Sequence, residues 1–435
     1  MPSIWRRVAV LLVVVIAVLQ VIHMTLLSRL EARKNTRQKK DSRNHGWDAV
    51  EQDYREAEIQ EDRMHMLETI QQSSVLDSSG EFRIVNFVIR ADLLSTKNQV
   101  HQDVSLVSQS SINHLHYIHP LSLRWHGPIS IAVFSLAKDI PIAVEAILHL
   151  RRCFPAIRHN TSFHLVYPLN SPSDIMSPSS SSSSSSSSQL LILDSCESLL
   201  EKLKSYGAGE NYAFGIPYPN NLLRNVARRN AMTEFVFVID IDMVPSNHLH
   251  KNFLYFANEN HLFLESHKDD KTVYVVPAFE VKEDSEIPQD KTNLLQLLEL
   301  MEARPFYFEL CWKCQKHTDY EAWQREPPSD KLAVLFEVLW RDPWEPFYVG
   351  RNSAPFYDER FRQYGFNRIS QVCELHVAGY KFSVLNNAFL VHQGLKTSTS
   401  FHKNKESDQE KNRILFRQFK TELKEKYPDS SRKCY

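Results

Sequence analysis

Short apolar runs alternate with amphipathic segments through much of the chain. Residues 129–134 form an apolar, β-branched run, residues 141–152 an amphipathic stretch that begins with proline, and residues 162–167 a second apolar run. This order is typical of a strand, helix, strand unit. The rhythm returns with a predicted helix at 220–229 and a continuous apolar strand at 234–239, as in parallel sheets buried on both faces. The pattern predicts an α/β fold.

A longer apolar run lies near the N-terminus. Residues 8–28 contain no aspartate, glutamate, lysine or arginine and match the roughly 20 residues that cross a bilayer. The run is longer than the apolar region of a signal peptide, and no small-x-small cleavage site follows it. We therefore predict a short cytoplasmic tail over 1–7, a signal anchor over 8–28, a stem over 29–120 and a catalytic domain over 121–435.

The sequence gives conflicting indications of how the predicted anchor is oriented in the membrane. Six basic residues between positions 29 and 40 outnumber Arg6 and Arg7, and the positive-inside rule alone would leave the long C-terminal part in the cytosol. The short tail, the glycosylation sequon at Asn160 and the six cysteines instead suit an oxidising lumen. We expect a single-pass type II protein with a lumenal catalytic domain, glycosylated at Asn160.

Composition narrows the partners and leaves the cysteine pairing open. The 51 lysines and arginines nearly balance the 52 aspartates and glutamates, so the charge gives no reason to expect a nucleic-acid partner. Cys311 and Cys314 form a Cys-x-x-Cys pair, but no second pair follows at zinc-finger spacing. A structural thiol or disulfide pair is the favoured interpretation, and the sequence does not choose a connectivity for all six cysteines.

Two segments are expected to lie outside the catalytic core. Apolar residues at loosely helical spacing between Val50 and Ile70 predict a stem helix. Their irregular period favours a solvated helix over a coiled coil and leaves a homodimer open. Ten consecutive serines, Ser179 to Ser188, cannot bury apolar surface, so a disordered surface insertion is predicted over 171–189.

Two acidic residues directly follow the apolar strand at 234–239. Side chains two apart in an extended segment point the same way, so Asp240 and Asp242 leave the C-terminal end of the sheet together. Ligands bind at this end of an open α/β sheet. The two carboxylates would repel unless a cation lay between them, and a hard divalent cation also holds a diphosphate. An Asp-x-Asp is more often a solvated turn, but its position after a buried strand favours a metal-dependent nucleotide-sugar site.

A second apolar strand, 388–392, ends in His392 and is followed by Gly394 and Lys396. The glycine permits a close backbone approach, and the lysine can reach a phosphate. We predict His392 as a third metal ligand, which favours manganese over magnesium, against the alternative of a core-edge histidine. Lys396 and Arg224 are predicted to bind the donor, although Arg224 could equally be a surface arginine.

The catalytic base and the acceptor site are less clearly marked. Glu374 lies on a predicted helix that Gly379 ends, and it is the predicted general base, with Asp358 and Glu359 as competitors and a helix-surface carboxylate as the alternative. Trp340 and Trp344 predict a stacking wall for an acceptor sugar, although such dense aromatic residues are more often core.

Three longer stretches, 220–246, 342–349 and 361–370 through His392, resemble the beta-1,4-glucuronyltransferase family of Golgi glycosyltransferases. The resemblance covers roughly residues 127–434. It implies a GT-A-type nucleotide-sugar-binding fold and a Golgi membrane location. It also implies inverting, manganese-dependent transfer of glucuronic acid from UDP-glucuronate to a β-xylose on the O-mannosyl glycan of α-dystroglycan, which primes that glycan for a LARGE-type glycosyltransferase.

The same resemblance carries Asp240, Asp242 and His392 over as the metal ligands. Asn367 and Arg368 stand where many GT-A enzymes have an acidic pair, which is why the base is assigned further along the helix to Glu374. Two alternatives stay open: a beta-1,3-N-acetylglucosaminyltransferase of lactosamine chains, and a non-catalytic Golgi scaffold. A scaffold has no need to keep mutually repelling acids together.

Overall fold

The computed structural model describes part of the chain, namely residues 24–25, 57–96, 101–169, 196–206, 216–397 and 405–434. The anchor predicted over 8–28 falls outside these residues except at positions 24 and 25, and so does the serine run. None of the helices in the described ranges combines the length and apolar character needed to cross a membrane. The chain divides into two compact units, 1–64 and 65–435, and residues 57–64 of the first are helical.

The second unit is built on two β-sheets. Its strands, in chain order, are β1 Val75–Leu76, β2 Phe82–Ile89, β3 Val104–Ser111, β4 Ile129–Phe134, β5 Thr161–Pro168, β6 Phe235–Val238, β7 Met243–Pro245, β8 Thr272–Val276, β9 Ala278–Val281, β10 Ala303–Pro305, β11 Ala333–Val338, β12 Phe347–Arg351, β13 Lys381–Asn386 and β14 Leu390–Gln393. Ten of them form one sheet in the order β1-β2-β5-β4-β3-β6-β12-β8-β13-β11, and the other four form a sheet in the order β10-β9-β14-β7.

Helices flank these sheets. They are α1 over 65–72, α2 Asp92–Thr96, α3 Ile118–Arg124, α4 Ile140–Cys153, α5 Pro155–Asn160, α6 Cys196–Ser205, α7 Asn220–Arg229, α8 Leu249–Glu259, α9 Lys291–Glu299, α10 Phe308–Gln315, α11 Tyr320–Arg325, α12 Asn367–Val377 and α13 Lys405–Lys426. The combination of these helices with a large sheet that contains both parallel and antiparallel strands confirms the predicted α/β class.

The predicted strand, helix, strand units are confirmed at the centre of the large sheet. Strands β5, β4, β3 and β6 are adjacent and parallel, and every residue of β4 and β6 is buried. Strands of this kind lie between two layers and therefore read as continuous apolar runs. The four strands end at one edge, where Asp240 follows β6.

The boundary predicted between stem and catalytic domain at residue 120 is wrong. Strand β3 lies between β4 and β6 and pairs with both, and β2 pairs with β5. A catalytic domain that began at residue 121 would lack its central strand, because hydrogen bonds between strands of the sheet cross that boundary. Strands β2 and β3 lie within the segment predicted as stem, where no strand was predicted from the sequence.

Helix α7 is fixed by two sets of contacts, apolar packing against the sheet and hydrogen bonds to residues at and before the start of α12. Leu222, Leu223 and Val226 are buried in a cluster with residues of β3, β4 and β6. Two asparagines tie the helix to the loop before α12: Asn221 donates to the backbone oxygen of Asn367, and Asn225 donates to that of Tyr357. An unpaired buried amide would cost free energy, so these bonds fix the helix that carries Arg224.

Three disulfides join the six cysteines, with pairs Cys153–Cys196, Cys311–Cys314 and Cys373–Cys434. The last joins α12 to the C-terminal tail across 61 residues of sequence, whereas the Cys311–Cys314 loop spans 3. The interpretation of Cys311 and Cys314 as a structural disulfide pair is confirmed. A crosslink stabilises mainly by restricting the unfolded chain, and longer loops gain more.

Replacing both Cys373 and Cys434 by serine should therefore lower the free energy of unfolding by about 4 kcal/mol, and replacing both Cys311 and Cys314 by about 2 kcal/mol. Urea unfolding of the two double variants beside the parent chain measures both losses. Equal losses would mean that loop length does not set the contribution of these crosslinks.

Candidate active site

The pairing of β7 with β14 builds one half of the site. The two strands are antiparallel, and His392 lies opposite Met243. Asp242 directly precedes Met243, so its side chain reaches the imidazole, and His392 Nε2 lies 3.1 Å from Asp242 Oδ2. Two residues separated by 150 positions are thus brought into contact by strand register.

The contact of the other imidazole nitrogen, Nδ1, determines which nitrogen of His392 carries a proton. Nδ1 lies 2.7 Å from the backbone oxygen of Gly394, and a carbonyl oxygen only accepts hydrogen bonds, so Nδ1 carries a proton. In the neutral ring, Nε2 then presents its lone pair to the Asp242 carboxylate. That contact is favourable when the ring is protonated or when a cation lies between the two atoms. A backbone bond that orients the imidazole in this way is typical of metal-binding histidines.

Asp240 sits differently from Asp242. Arg224 Nη2 lies 2.8 Å from Asp240 Oδ1, and Arg368 Nη2 lies 2.5 Å from Asp240 Oδ2. Both guanidiniums are buried, with side-chain exposures of 4% and 9%. The structure therefore brings all three predicted metal ligands to one edge of the sheet but leaves both oxygens of Asp240 bonded to arginine.

Charge explains how two carboxylates stay ionised side by side. Burial alone would raise the pKa of Asp240, but Arg368 and Arg224 hold that pKa below its ordinary value. Burial would likewise raise the pKa of Asp242, and the hydrogen bond and charge of His392, with Lys396 and His114, lower it instead. Each acid thus has its own set of cationic or hydrogen-bonding neighbours, and these outweigh the effect of Asp242, whose charge still raises the pKa of Asp240.

The predicted donor-binding residues lie beside these acids. Lys396 Nζ is 3.4 Å from Asp242 Oδ2, and the Lys396 amide donates to Glu280 Oε2 at 3.0 Å. Glu280 is itself fully buried and paired with Arg304 at 2.5 Å. Arg224 also donates to Asn221 Oδ1 at 2.9 Å, so its guanidinium is largely occupied by protein partners. It orients Asp240 and is not a surface arginine.

A cavity of about 720 Å³ opens at this edge of the sheet. Asp240, Asp242, Arg224 and Arg368 line one part of it, and Phe306, Tyr307, Lys313 and Glu345 are among the residues that line the rest. The volume lies within the range for small-molecule sites. Polar groups that converge in such a cavity make it the candidate active site.

Sequence reasoning missed several residues of this cavity. His114 follows β3 in a 3₁₀ turn, Ile112–Tyr117, and its Nδ1 lies 3.0 Å from Ser111 Oγ. Burial lowers the pKa of His114, while the charge of Asp242 acts in the opposite direction. Glu345 was missed although it lies within the 342–349 stretch that carried the family resemblance. His114 follows β3, a strand that was not predicted from the sequence, and Glu345 precedes β12, so neither showed the pattern that identified Asp240 and Asp242.

Glu374, the predicted base, is not placed at the cavity. Its carboxylate is buried and accepts hydrogen bonds from Lys426 Nζ at 2.7 Å and from the Tyr427 hydroxyl at 2.9 Å. These contacts join α12 to α13. Its competitors also lie apart, since Asp358 pairs with Arg360 and Glu359 accepts from Asn225.

Two further predictions fail because the side chains are buried. Trp340 and Trp344 are 3% and 0% exposed and belong to the apolar core, so they form no stacking wall. Asn160 is 9% exposed and Thr161 is fully buried at the start of β5, so the fold covers most of the sequon that the prediction placed at the surface. Trp312, by contrast, is 40% exposed and adjoins the cavity residues Cys311 and Lys313.

Comparisons with known proteins agree on one family. A family model described as a glycosyl-transferase for dystroglycan matches residues 103–428. Beta-1,4-glucuronyltransferase 1 of Danio rerio is 39% identical over 97% of this chain and 96% of its own length. The Homo sapiens protein of the same name is 41% identical over 83% of each chain. A LARGE2s xylosyl- and glucuronyltransferase of Gallus gallus is 27% identical over 72% of this chain and 34% of its own.

Replacing Arg368 by glutamine should lower the free energy of unfolding by about 1–3 kcal/mol, because Asp240 loses a charged hydrogen-bond partner in a poorly solvated place. Denaturant unfolding measures the loss. Arg362→Gln is a matched control, since Arg362 also lies over a phenylalanine ring but pairs with the exposed Glu81, and it should cost about 0–1 kcal/mol. Comparable losses would show that Asp240 does not depend on Arg368.

Proposed function

Since the chain belongs to the family of glycosyl-transferases for dystroglycan, we propose that it transfers glucuronic acid from UDP-glucuronate to a β-xylose on the O-mannosyl glycan of α-dystroglycan. The names of the relatives, glucuronyltransferases and a LARGE-type xylosyl- and glucuronyltransferase, support the transferred sugar. The description of the family supports dystroglycan as the acceptor class. The observation that carries the proposal in this chain is the Asp242–His392 contact at the edge of a polar cavity.

A divalent cation, for which we propose Mn²⁺, fits this contact. Asp242 offers an oxygen and His392 an oriented imidazole nitrogen, a donor set that suits manganese better than magnesium. Within the described ranges no three His, Cys, Asp or Glu side chains are grouped to hold a metal, and both oxygens of Asp240 are bonded to arginines. The bound cation would supply positive charge to the leaving diphosphate.

Other residues of the site would bind the donor diphosphate and position Asp240. Lys396, beside Asp242, adds positive charge where a diphosphate would lie. Arg224 and Arg368 hold Asp240 in place and reduce the negative charge that a donor would meet on entry. The donor is α-linked and the product β-linked, so a single in-line displacement inverts the anomeric carbon and needs one general base.

The surrounding architecture supports the finer parts of the proposal. The four parallel strands, of which β6 leads into Asp240 and Asp242, suit a GT-A-type arrangement, in which a nucleotide-sugar lies across the carboxyl ends of the strands. Three disulfides suit an oxidising compartment, which supports a lumenal catalytic domain in the Golgi. The glucuronylated product would prime the glycan for a LARGE-type glycosyltransferase.

Transfer assays with the full-length chain test the donor. We expect transfer from UDP-glucuronate to a β-xyloside with Mn²⁺ present, and its loss when the metal is chelated. Transfer from UDP-N-acetylglucosamine instead would keep the enzyme class and replace the sugar. Inactivity with every UDP-sugar, together with rescue of cellular glycosylation by a metal-site variant, would favour a non-catalytic Golgi scaffold.

Asp242→Asn should reduce turnover by about 100-fold or more, because the substitution removes the charge that holds the cation beside the donor diphosphate. The protein should stay folded, as judged by its unfolding midpoint. Asp269→Asn, at an exposed loop position, is the matched control and should leave turnover unchanged. Normal activity in the Asp242 variant would remove the metal site from the mechanism.

A further inference from the structure

Glu345 is a carboxylate on the wall of the cavity for which the proposed mechanism has so far given no role. It lies between the cis Asp342–Pro343 peptide and β12, and its side chain is half-buried and lines the cavity that contains Asp240 and Asp242. A carboxylate that faces a cavity without a structural role is a candidate for chemistry.

The backbone at this position is held by three contacts. The Glu345 amide donates to the Cys314 oxygen at 3.0 Å. Trp344 is fully buried, and its indole donates to Thr318 Oγ1 at 3.0 Å, while the Trp340 indole donates to the Trp344 oxygen at 2.8 Å. The side chain of Glu345 therefore projects from a rigid part of the core, as a group that must meet a substrate atom at a defined distance should.

The carboxylate itself is not used to hold the fold together. From the part of the chain that the structure describes, no donor makes a hydrogen bond to either Glu345 side-chain oxygen. Glu374 shows the contrast, because its carboxylate accepts from both Lys426 and Tyr427. An acceptor that stays available inside a polar cavity can receive a hydrogen bond from a ligand.

The titratable groups that act electrostatically on Glu345, or on which it acts, come from five parts of the chain. They are Arg368 on α12, Asp240 after β6, Arg224 on α7, Tyr307 before α10 and Tyr364 in the loop before α12. Burial raises the pKa of Glu345 to about 7, with Arg368 and Arg224 opposing the rise and Asp240 adding to it. A carboxylate with a pKa near neutrality accepts a proton more readily than an ordinary one does.

We propose that Glu345 is the general base that deprotonates the acceptor hydroxyl. This inference rests on the proposed function, since it needs an acceptor sugar in the cavity. In the step, the hydroxyl oxygen forms a bond to the anomeric carbon of the donor sugar as its proton passes to Glu345. The bond between that carbon and the β-phosphate oxygen breaks with its electron pair, and UDP leaves. The products are a β-glycoside, UDP and protonated Glu345, which releases its proton to solvent.

Glu345→Gln tests the inference, because glutamine keeps the shape of the side chain and cannot accept the proton. With the full-length chain, UDP-glucuronate and a β-xyloside, we expect kcat to fall by about 100-fold to 10,000-fold. The KM for UDP-glucuronate should stay within about threefold of the parent value, because the lost interaction belongs to the transition state. UDP binding, measured by calorimetry with Mn²⁺, should also be retained.

The pH dependence of kcat separates a base from a positioning residue. Below its pKa Glu345 is protonated and cannot act, so the kcat of the parent chain should rise with pH through about 7 and then level off. Glu345→Asp keeps a titrating carboxylate and should retain such a rise at reduced kcat, whereas Glu345→Gln should lose it. Asp342→Asn is the matched control. Its carboxyl pKa is also raised by burial, but it does not line the cavity, and both kcat and profile should be unchanged.

Several outcomes would overturn the assignment. They are a Glu345→Gln variant with kcat within about twofold of the parent, a loss confined to donor KM, or a flat parent profile with no rise near neutral pH. A larger loss in Glu374→Gln than in Glu345→Gln would return the role to Glu374. If the parent chain uses a UDP-sugar other than UDP-glucuronate, the proposed function fails, and the same variants measured with that donor still decide the base.

Discussion

The bonding of Asp240 to two buried arginines is the interaction on which the site depends. An acidic residue at the end of a buried strand is poorly solvated, and without compensation it would protonate or push the strand end toward solvent. Arg224 from α7 and Arg368 from α12 neutralise it from two sides. The pair of helices is joined directly, since Asn221 of α7 donates to the backbone of Asn367 at the start of α12. One carboxylate thus links the sheet edge with two helices, and the cavity forms around that junction.

The two acids of the Asp-Ile-Asp sequence have different partners in the site. Both oxygens of Asp240 are bonded to buried arginines, whereas Asp242 contacts His392 and Lys396 at the edge of the cavity. Both acids lie at the same end of the sheet, but the backbone between them is not extended as predicted, because Ile241 and Asp242 form a turn in which the Met243 amide donates to the Asp240 backbone oxygen at 3.0 Å. Their partners differ as a result. Spacing alone could not reveal this division, because the arginines come from helices distant in sequence.

Elements and site residues could be predicted from the sequence where a pattern within a few neighbouring residues determines them. The runs at 129–134 and 234–239 and the helix at 220–229 follow periodicities that act within a few residues, and the structure has them at nearly the same bounds. The meeting of Asp242 with His392 could be proposed because each follows an apolar strand. Glu345, His114 and the placement of β3 depend on tertiary contacts, and no local rule marks them. The burial of Asn160 was missed for the same reason. The glycosylation sequon is defined by three residues alone, whereas burial at this position depends on the strand that begins beside it.

The register of β7 against β14 has a consequence for the order of events during folding. Asp242 and His392 are separated by 150 positions, so an unfolded chain holds them far apart and offers a metal no preformed pair of ligands. The small sheet must close before both ligands face each other. Binding of the proposed cation would therefore follow closure of the small sheet, and it would stabilise the finished fold without guiding its formation.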